Sequence, residues 1–198
     1  MGGPRNMPSK CPPAFDLALP SGVIADDDAV AERARSEVLV HFDDSGAALR
    51  RYVRSFGLSA DAAEDVLQEV FLSLFRHLCL DRPRTNLRGW LFRVAHNLSL
   101  RQRRTLKRRD GETALDETVI NRLIDASDNP EERMTADQRL LRLRAVLRAM
   151  PERDRRCLYL RAEGLPYRDI AKAVGISLGS VAKSLTRSLT RVTNADVG

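Results

Sequence analysis

Apolar residues return at intervals of three and four along most of this chain, and nowhere do they alternate one by one. A period of about 3.6 residues belongs to helices that bury one face, whereas a half-buried strand needs a period of two. The fold class expected is all-α. The pattern fails over one long internal stretch, residues 110–133, which carries eight acidic and two basic side chains and ends in Asn129-Pro130. Such a composition reads as a flexible linker. The chain then divides into a disordered N-terminal tail (1–28), a helical domain (29–109), the acidic linker (110–133) and a second helical domain (134–198). Two small domains are what 198 residues allow.

Within the first domain, Val30, Ala34, Val38 and Phe42, then Leu49, Tyr52, Val53 and Phe56, form the opening stripe. Asp43 to Gly46 is expected to interrupt it, giving two helices or one kinked helix, and Gly57 to end it. Ser59 suits an N-cap, with Asp61, Glu64 and Asp65 in the turns that favour negative charge. That helix is expected to reach about Leu78 and to bury Ala63, Leu67, Val70, Phe71, Leu74 and Phe75. After a loop containing Pro83, a helix from about Leu87 to Arg108 turns Leu87, Trp90, Leu91, Val94, Ala95 and Leu98 inward. The pattern resumes from about Thr135 to Met150.

Pro151 stands where a further helix would begin, and residues 152–192 read as three helices separated by Gly164 and Gly175. The short middle one spans Tyr167 to about Val174. Gly175 suits a left-handed turn, and Ser177 can cap the last helix, about Leu178 to Val192. Ala171, Gly175 and Val181 supply the small residue, the turn glycine and the apolar anchor of a helix-turn-helix. About 15 residues make a helix of about 22 Å, long enough to lie in a major groove.

Charge is distributed more tellingly than its net value of +6 suggests. Residues 82–109 carry ten basic and no acidic side chains, and residues 134–198 carry thirteen basic and six acidic. Two basic blocks around an acidic one suggest two polyanion-binding surfaces, although a charge run is often no more than a solvated face. Catalysis is not expected. His41, His77 and His96 are scattered, and the chain lacks HExxH, GxSxG and a phosphate-cradling glycine loop. Cys11, Cys79 and Cys157 stand too far apart for a zinc site or a disulfide framework, so neither cofactor nor metal is expected. Cys79 and Cys157 read as small buried hydrophobes, and Cys11 as a thiol in a flexible segment. The first thirty residues hold five prolines and no apolar core of a secretory signal. No run approaches the ~18 apolar residues of a membrane span. A cytoplasmic protein without membrane insertion is the expectation.

Four segments carry a resemblance to a known family. They are Ser59 to Phe71 (SADAAEDVLQEVF), Asn86 to Leu98 (NLRGWLFRVAHNL), Met150 to Arg156 (MPERDRR) and Glu163 to Ala171 (EGLPYRDIA). In that order and spacing they resemble regions 2 and 4 of an extracytoplasmic-function sigma factor of bacterial RNA polymerase, over about residues 36–109 and 138–192. The resemblance implies two helical domains, the second a helix-turn-helix. It also implies core RNA polymerase and promoter DNA as partners, and an anti-sigma protein that holds the factor inactive.

On the first of these segments, Asp65, Gln68, Glu69 and Leu72 share one helix face opposite the apolar stripe. Solvated surface acids are the plain reading of that row; the resemblance makes it a docking surface for a basic coiled coil of the core enzyme. The resemblance likewise makes Arg88, Phe92, Arg93, His96, Asn97, Arg101 and Arg104 the −10 DNA-binding set. Arginines there neutralise phosphates, and Asn97 offers a donor and an acceptor to a base edge. Trp90 is expected to brace the core, while Phe92, lying off the apolar stripe, is the aromatic assigned to DNA. The loop Leu80 to Arg88, with Arg82, Arg84 and Asn86, is expected to shape a base pocket.

Ser177, Ser180, Lys183, Ser184, Arg187 and Arg191 form the expected −35 set. Here the chain departs from the family pattern: Gly179 to Leu185 (GSVAKSL) shifts the usual lysine by one position, a rotation of about 100° around the helix. Pro166 also replaces the usual serine cap. The C-terminal motif alone fits a second reading, a helix-turn-helix regulator with a ligand-sensing or dimerising N-terminal domain. That reading leaves the basic helix after Asn86 without a task.

Overall fold

The computed structural model describes residues 24–110 and 141–197, and every element among them is helical. In chain order these are α1 (Ile24–Arg54), α2 (Ala60–Cys79), α3 (Leu87–Asp110), α4 (141–149), α5 (Glu152–Ala162), α6 (Tyr167–Val174) and α7 (Leu178–Val197). The tail to residue 23 and the linker from residue 111 lie outside the described residues, as do Cys11 and residues 135–140.

One expectation about α1 needs correcting: it begins at Ile24, inside the segment assigned to the tail. Of two helices or one kinked helix, the chain forms a single helix that runs through Asp43 to Gly46. A mid-helix glycine costs about 1 kcal/mol relative to alanine. Here the cost is offset by packing. Ser45 is 2% exposed, and the Phe42 ring folds beside Gly46 to meet Phe71 of α2, ring centres 5.1 Å apart. The small pair lets α1 and α2 approach, so tertiary contact overrides the local break signal.

α2 starts as its sequence indicates: the Ser59 hydroxyl accepts from the Ala62 amide at 3.2 Å. Its apolar stripe (Ala63, Val66, Leu67, Val70, Phe71, Leu74, Leu78) packs with Leu49, Tyr52 and Val53 of α1, with Phe56 just after it and with Leu91 of α3. Each such side chain contributes roughly 1.5–3 kcal/mol on burial. Phe75 is only partly buried at the edge of this core.

In the second half, Pro151 starts α5 and Pro166 starts α6, neither with a side-chain cap. Gly175 ends α6 at φ 74°, a conformation that costs glycine nothing and strains other residues. Leu160, Leu165, Ile170, Ala173, Val181 and Leu185 pack at the centre of the three-helix turn. Leu147 and Met150 form a small separate cluster with Leu143, Val146, Leu158 and Val192.

The two halves are packed on one another, and their apolar residues form one continuous buried cluster. α6 lies along α3. Arg51 of α1 makes a two-pronged bond to Glu163 at 2.9 and 2.7 Å. Arg156 of α5, 2% exposed, crosses into the first half. Its guanidinium sits 3.4 Å from the centre of the Phe56 ring and donates to the Ser55 carbonyl and hydroxyl at 2.7 and 2.8 Å.

Candidate nucleic-acid interface

α2 turns its polar row to solvent. Asp65 and Gln68 are exposed, Leu72 is 48% exposed, and Glu69, half-buried, meets Arg76 at 3.4 Å. All four lie on the face away from the core, so the surface is open to a partner in this arrangement.

α3 is opened by Asn86 in a left-handed conformation, φ 56°. Its side-chain oxygen accepts from the Gly89 amide at 3.2 Å, and its amide group donates to Asp169 of α6 at 2.7 Å. Gly89 is required by that closeness. A Cβ there would stand 2.8 and 2.9 Å from the Asn86 amide and 2.9 Å from the Asp169 carboxyl carbon. Thr85 and Asn86 of the preceding loop line a cleft with Trp90, Arg93, Asp169 and Lys172.

Beyond this point the predicted −10 set separates into two stripes. Arg93, Asn97, Arg101 and Arg104, spaced four, four and three residues apart, are exposed. The other three, Arg88, Phe92 and His96, run along the seam between the halves together with Ser99 and Arg103, which lie outside the predicted set; of these Arg88 stays exposed. Arg88 donates to the Glu163 carbonyl at 2.6 Å, and Arg103 pairs with Glu152. Phe92 and Ser99 are wholly buried, and His96 is 5% exposed.

Phe92 and His96 therefore are not placed as a DNA surface here, contrary to the sequence expectation. Phe92 packs against Tyr52, ring centres 5.7 Å apart, with the Arg88 guanidinium 5.9 Å above it. The helix-wheel argument assumed that α3 is covered from one side. In the structure α1, α2 and the second half all cover it, so its buried face is wider than its apolar stripe. Trp90 is partly buried, its ring 4.8 Å from His77, as expected of a brace.

His96 takes a hydrogen bond from the Tyr52 hydroxyl at its Nδ1, 2.7 Å. Burial, and then the charge of Arg156, push the imidazole down to about 4, while burial pushes the Tyr52 phenol up. Neutral imidazole and protonated phenol are the states this bond needs. Because the folded value lies below the unfolded one of 6.5, the stability His96 contributes is complete above pH 6.5 and lost as pH falls towards 4. The full loss is about 3 kcal/mol. Urea unfolding between pH 7 and pH 4 should show the parent losing that much more than His96→Gln. Equal losses in the two proteins would refute the assignment.

The last helix repeats the division. Ser177 caps α7, accepting from the Ser180 amide at 3.2 Å, and Lys183, Arg187 and Arg191 are exposed. Ser180 is half-buried, its hydroxyl 2.8 Å from that of Ser177. Ser184 corrects the expectation: it is wholly buried and donates to Asp154, 2.5 Å away. Arg187 reaches the same carboxylate oxygen at 3.1 Å. Asp154, 2% exposed, thus sets the pose of α7 on α5. Lys183 points outward, while Ser184 lies on the buried face of α7 with Val181, Leu185 and Ser188.

Sequence reasoning missed Glu152, Asp154, Arg156, Glu163 and Asp169 as organising residues. A signal existed for Arg156, which lies four residues before Leu160 on the inward stripe of α5. Burial lowers the Arg156 guanidinium to about 10, still charged at neutral pH. Burial alone would raise the Glu152 carboxyl, but a hydrogen bond from Arg103 and the charge of Arg156 hold it at about 2.

Comparison with known proteins follows the same two blocks. The family described as Sigma-70 region 2 matches residues 42–109, and Sigma-70, region 4 matches residues 140–192. The chain is 32% identical over 161 residues to the ECF RNA polymerase sigma factor SigL of Mycobacterium tuberculosis, covering 79% of this chain and 86% of the relative. This chain belongs to the extracytoplasmic-function sigma factors. It is also 29% identical over 145 residues to the sigma factor EcfG of Rhodopseudomonas palustris, covering 73% and 76%. Among solved structures, the sigma factor RpoE of Bartonella quintana, in complex with the anti-sigma factor NepR, shares the fold. Its TM-score is 0.58 at 20% identity, over 83% of this chain and 96% of that one. In this sigma factor, α2 and α3 fall within the region 2 match, and α5, α6 and most of α7 within region 4.

Proposed function

We propose that this sigma factor docks on core RNA polymerase through the outward row of α2, holds −35 duplex DNA with α7 and opens the −10 element along α3. The two matched blocks act as separate domains joined by residues 110–133. The observation that carries the reading is the exposed stripe Arg93, Asn97, Arg101 and Arg104, three cations and one amide on a single helix face. Cations at that spacing hold a phosphate backbone while the amide reads a base edge. No bond is made or broken by the protein; it redirects the binding energy of the polymerase.

Its relative from Bartonella quintana is bound to an anti-sigma factor, and we expect an inhibitor of that kind here. No helix among the described residues is long and apolar enough to cross a membrane. The protein acts where core polymerase and promoter DNA are, in the cytoplasm.

Run-off transcription with purified core polymerase on genomic fragments tests the function and reveals the promoter. Start-site selection conferred by the chain supports it. Failure to bind core polymerase, with tight duplex binding by the chain alone, would favour a conventional regulator. Asn97→Ala combined with Arg101→Ala is expected to lower open-complex formation by about thirtyfold or more, each of the two lost contacts being worth about 1–3 kcal/mol. Core binding should hold. Permanganate footprinting reads the opening, and unaltered footprints would show that this stripe is not the melting surface.

A further inference from the structure

The first turns of α7 are short of the groups that read most bases. From Ser177 to Ser188 the sequence holds no Asn, Gln, Asp or Glu, the side chains whose amides pair with adenine and whose carboxylates accept from cytosine. The cations over that stretch are Lys183 and Arg187, and Arg187 is already bonded to buried Asp154 at 3.1 Å. The Ser177 and Ser180 hydroxyls are engaged with one another, 2.8 Å apart, and that of Ser177 also accepts from the Ser180 amide. Thr186 donates its hydroxyl to the Ala182 carbonyl at 3.0 Å, so its methyl is the group left for a partner.

What stands outward instead is apolar. Leu178, 56% exposed, begins a row that continues through half-buried Ala182 to exposed Thr186, at intervals of four residues. Lys183, Arg187 and Arg191 form an exposed row of cations beside it at the same spacing. One exposed leucine is unremarkable. Its neighbour Gly179 is not. A glycine inside a helix costs stability relative to alanine. Gly179 does not adopt a positive φ, and nothing lies within 4 Å of where its Cβ would stand. The fold gains nothing from the missing side chain, whereas a partner that comes close against the helix backbone does.

We infer that α7 reads thymine through its C5-methyl group, with Leu178 as the principal reader and Ala182 and Thr186 extending the contact, while the cations beside them hold phosphates. This rests on the −35 reading proposed above. Apolar side chains single out thymine because its methyl is the one apolar group that the base edges present in the major groove. Four residues advance a helix by about 6 Å, and two base-pair steps advance the duplex by about 7 Å. Successive members of the row therefore meet base pairs about two steps apart, and the −35 element should carry thymine, on either strand, at that interval.

The test uses holoenzyme assembled from core polymerase and the full chain, on the promoter that run-off transcription reveals. Each thymine of the −35 element is replaced in turn by deoxyuridine, which removes the methyl and keeps every hydrogen-bonding group. Closed-complex binding is expected to weaken about fourfold at one or two positions, the worth of one buried carbon group. Leu178→Ala should lose a similar factor on the unmodified promoter and nothing further at the deoxyuridine position that affects the parent most. Lys183→Ala should weaken binding to all of these templates alike.

Deoxyuridine without effect at every position overturns the methyl reading, as do equal losses in the parent and Leu178→Ala, or a −35 element without thymine. Should Leu178→Ala weaken binding to core polymerase instead, the leucine is a protein contact and the reading falls. A holoenzyme that selects no start site on unmodified DNA overturns the −35 reading beneath it. Gly179→Ala supplies a second signature: a higher melting temperature for the free chain together with weaker closed-complex binding. Undiminished binding by that variant counts against a close approach of DNA at this turn.

Discussion

Arg156→Ala is expected to lower the unfolding free energy by about 3–5 kcal/mol, the range for removing one member of a buried, hydrogen-bonded charge pair. Three losses combine. The guanidinium stacks on Phe56 in a site sheltered from water, an arrangement worth up to about 2 kcal/mol. It satisfies the Ser55 carbonyl and hydroxyl, and charged hydrogen bonds of this kind contribute about 1.5–3 kcal/mol. It also leaves Glu152, which then keeps Arg103 alone. For a chain of this size the melting temperature should fall by roughly 10 °C. Calorimetry measures it directly, and a loss below about 1 kcal/mol would show the buried cation to be dispensable. Arg156→Met, which keeps the packing, has a second signature: without the cation beside it, the His96 imidazole should titrate at higher pH.

Asp65→Arg combined with Glu69→Arg is expected to weaken binding to core polymerase by more than about a hundredfold. Reversing charge where a cationic partner docks replaces attraction with repulsion, and like-charge contacts at an interface cost several kcal/mol. The fold should hardly notice. Asp65 is exposed, and the Glu69 pair with Arg76 is a surface contact of the kind worth ~1 kcal/mol or less. Helical content by circular dichroism should therefore match the parent while competition for core enzyme collapses. Undiminished competition would mean that the α2 row is solvated surface and that docking lies elsewhere.

The elements most readily legible were those whose signals are local. Ser59, Gly175 and Ser177 act through their own neighbours, and the helices they bound begin or end where their chemistry requires. Tyr167–Val174 is placed to the residue for that reason. The outward row on α2 was likewise legible, since one covered face leaves the opposite face open. Asp43 to Gly46 shows the limit: Gly46 looks like a break until Phe42 and Phe71 close over it.

Helical periodicity, the two basic blocks and the order of the motifs by themselves determined an all-α chain of the sigma-factor kind, because each is written in spacing along one strand of sequence. Only the tertiary structure decided which side of α3 is open. Phe92, His96 and Ser184 have the chemistry of a DNA surface but are buried, by contacts with Tyr52 for the first two and with Asp154 for the third, which lie 40, 44 and 30 residues away. A periodic pattern records how much of a helix is apolar; how many neighbours cover it depends on residues far off in the chain, which no local spacing records.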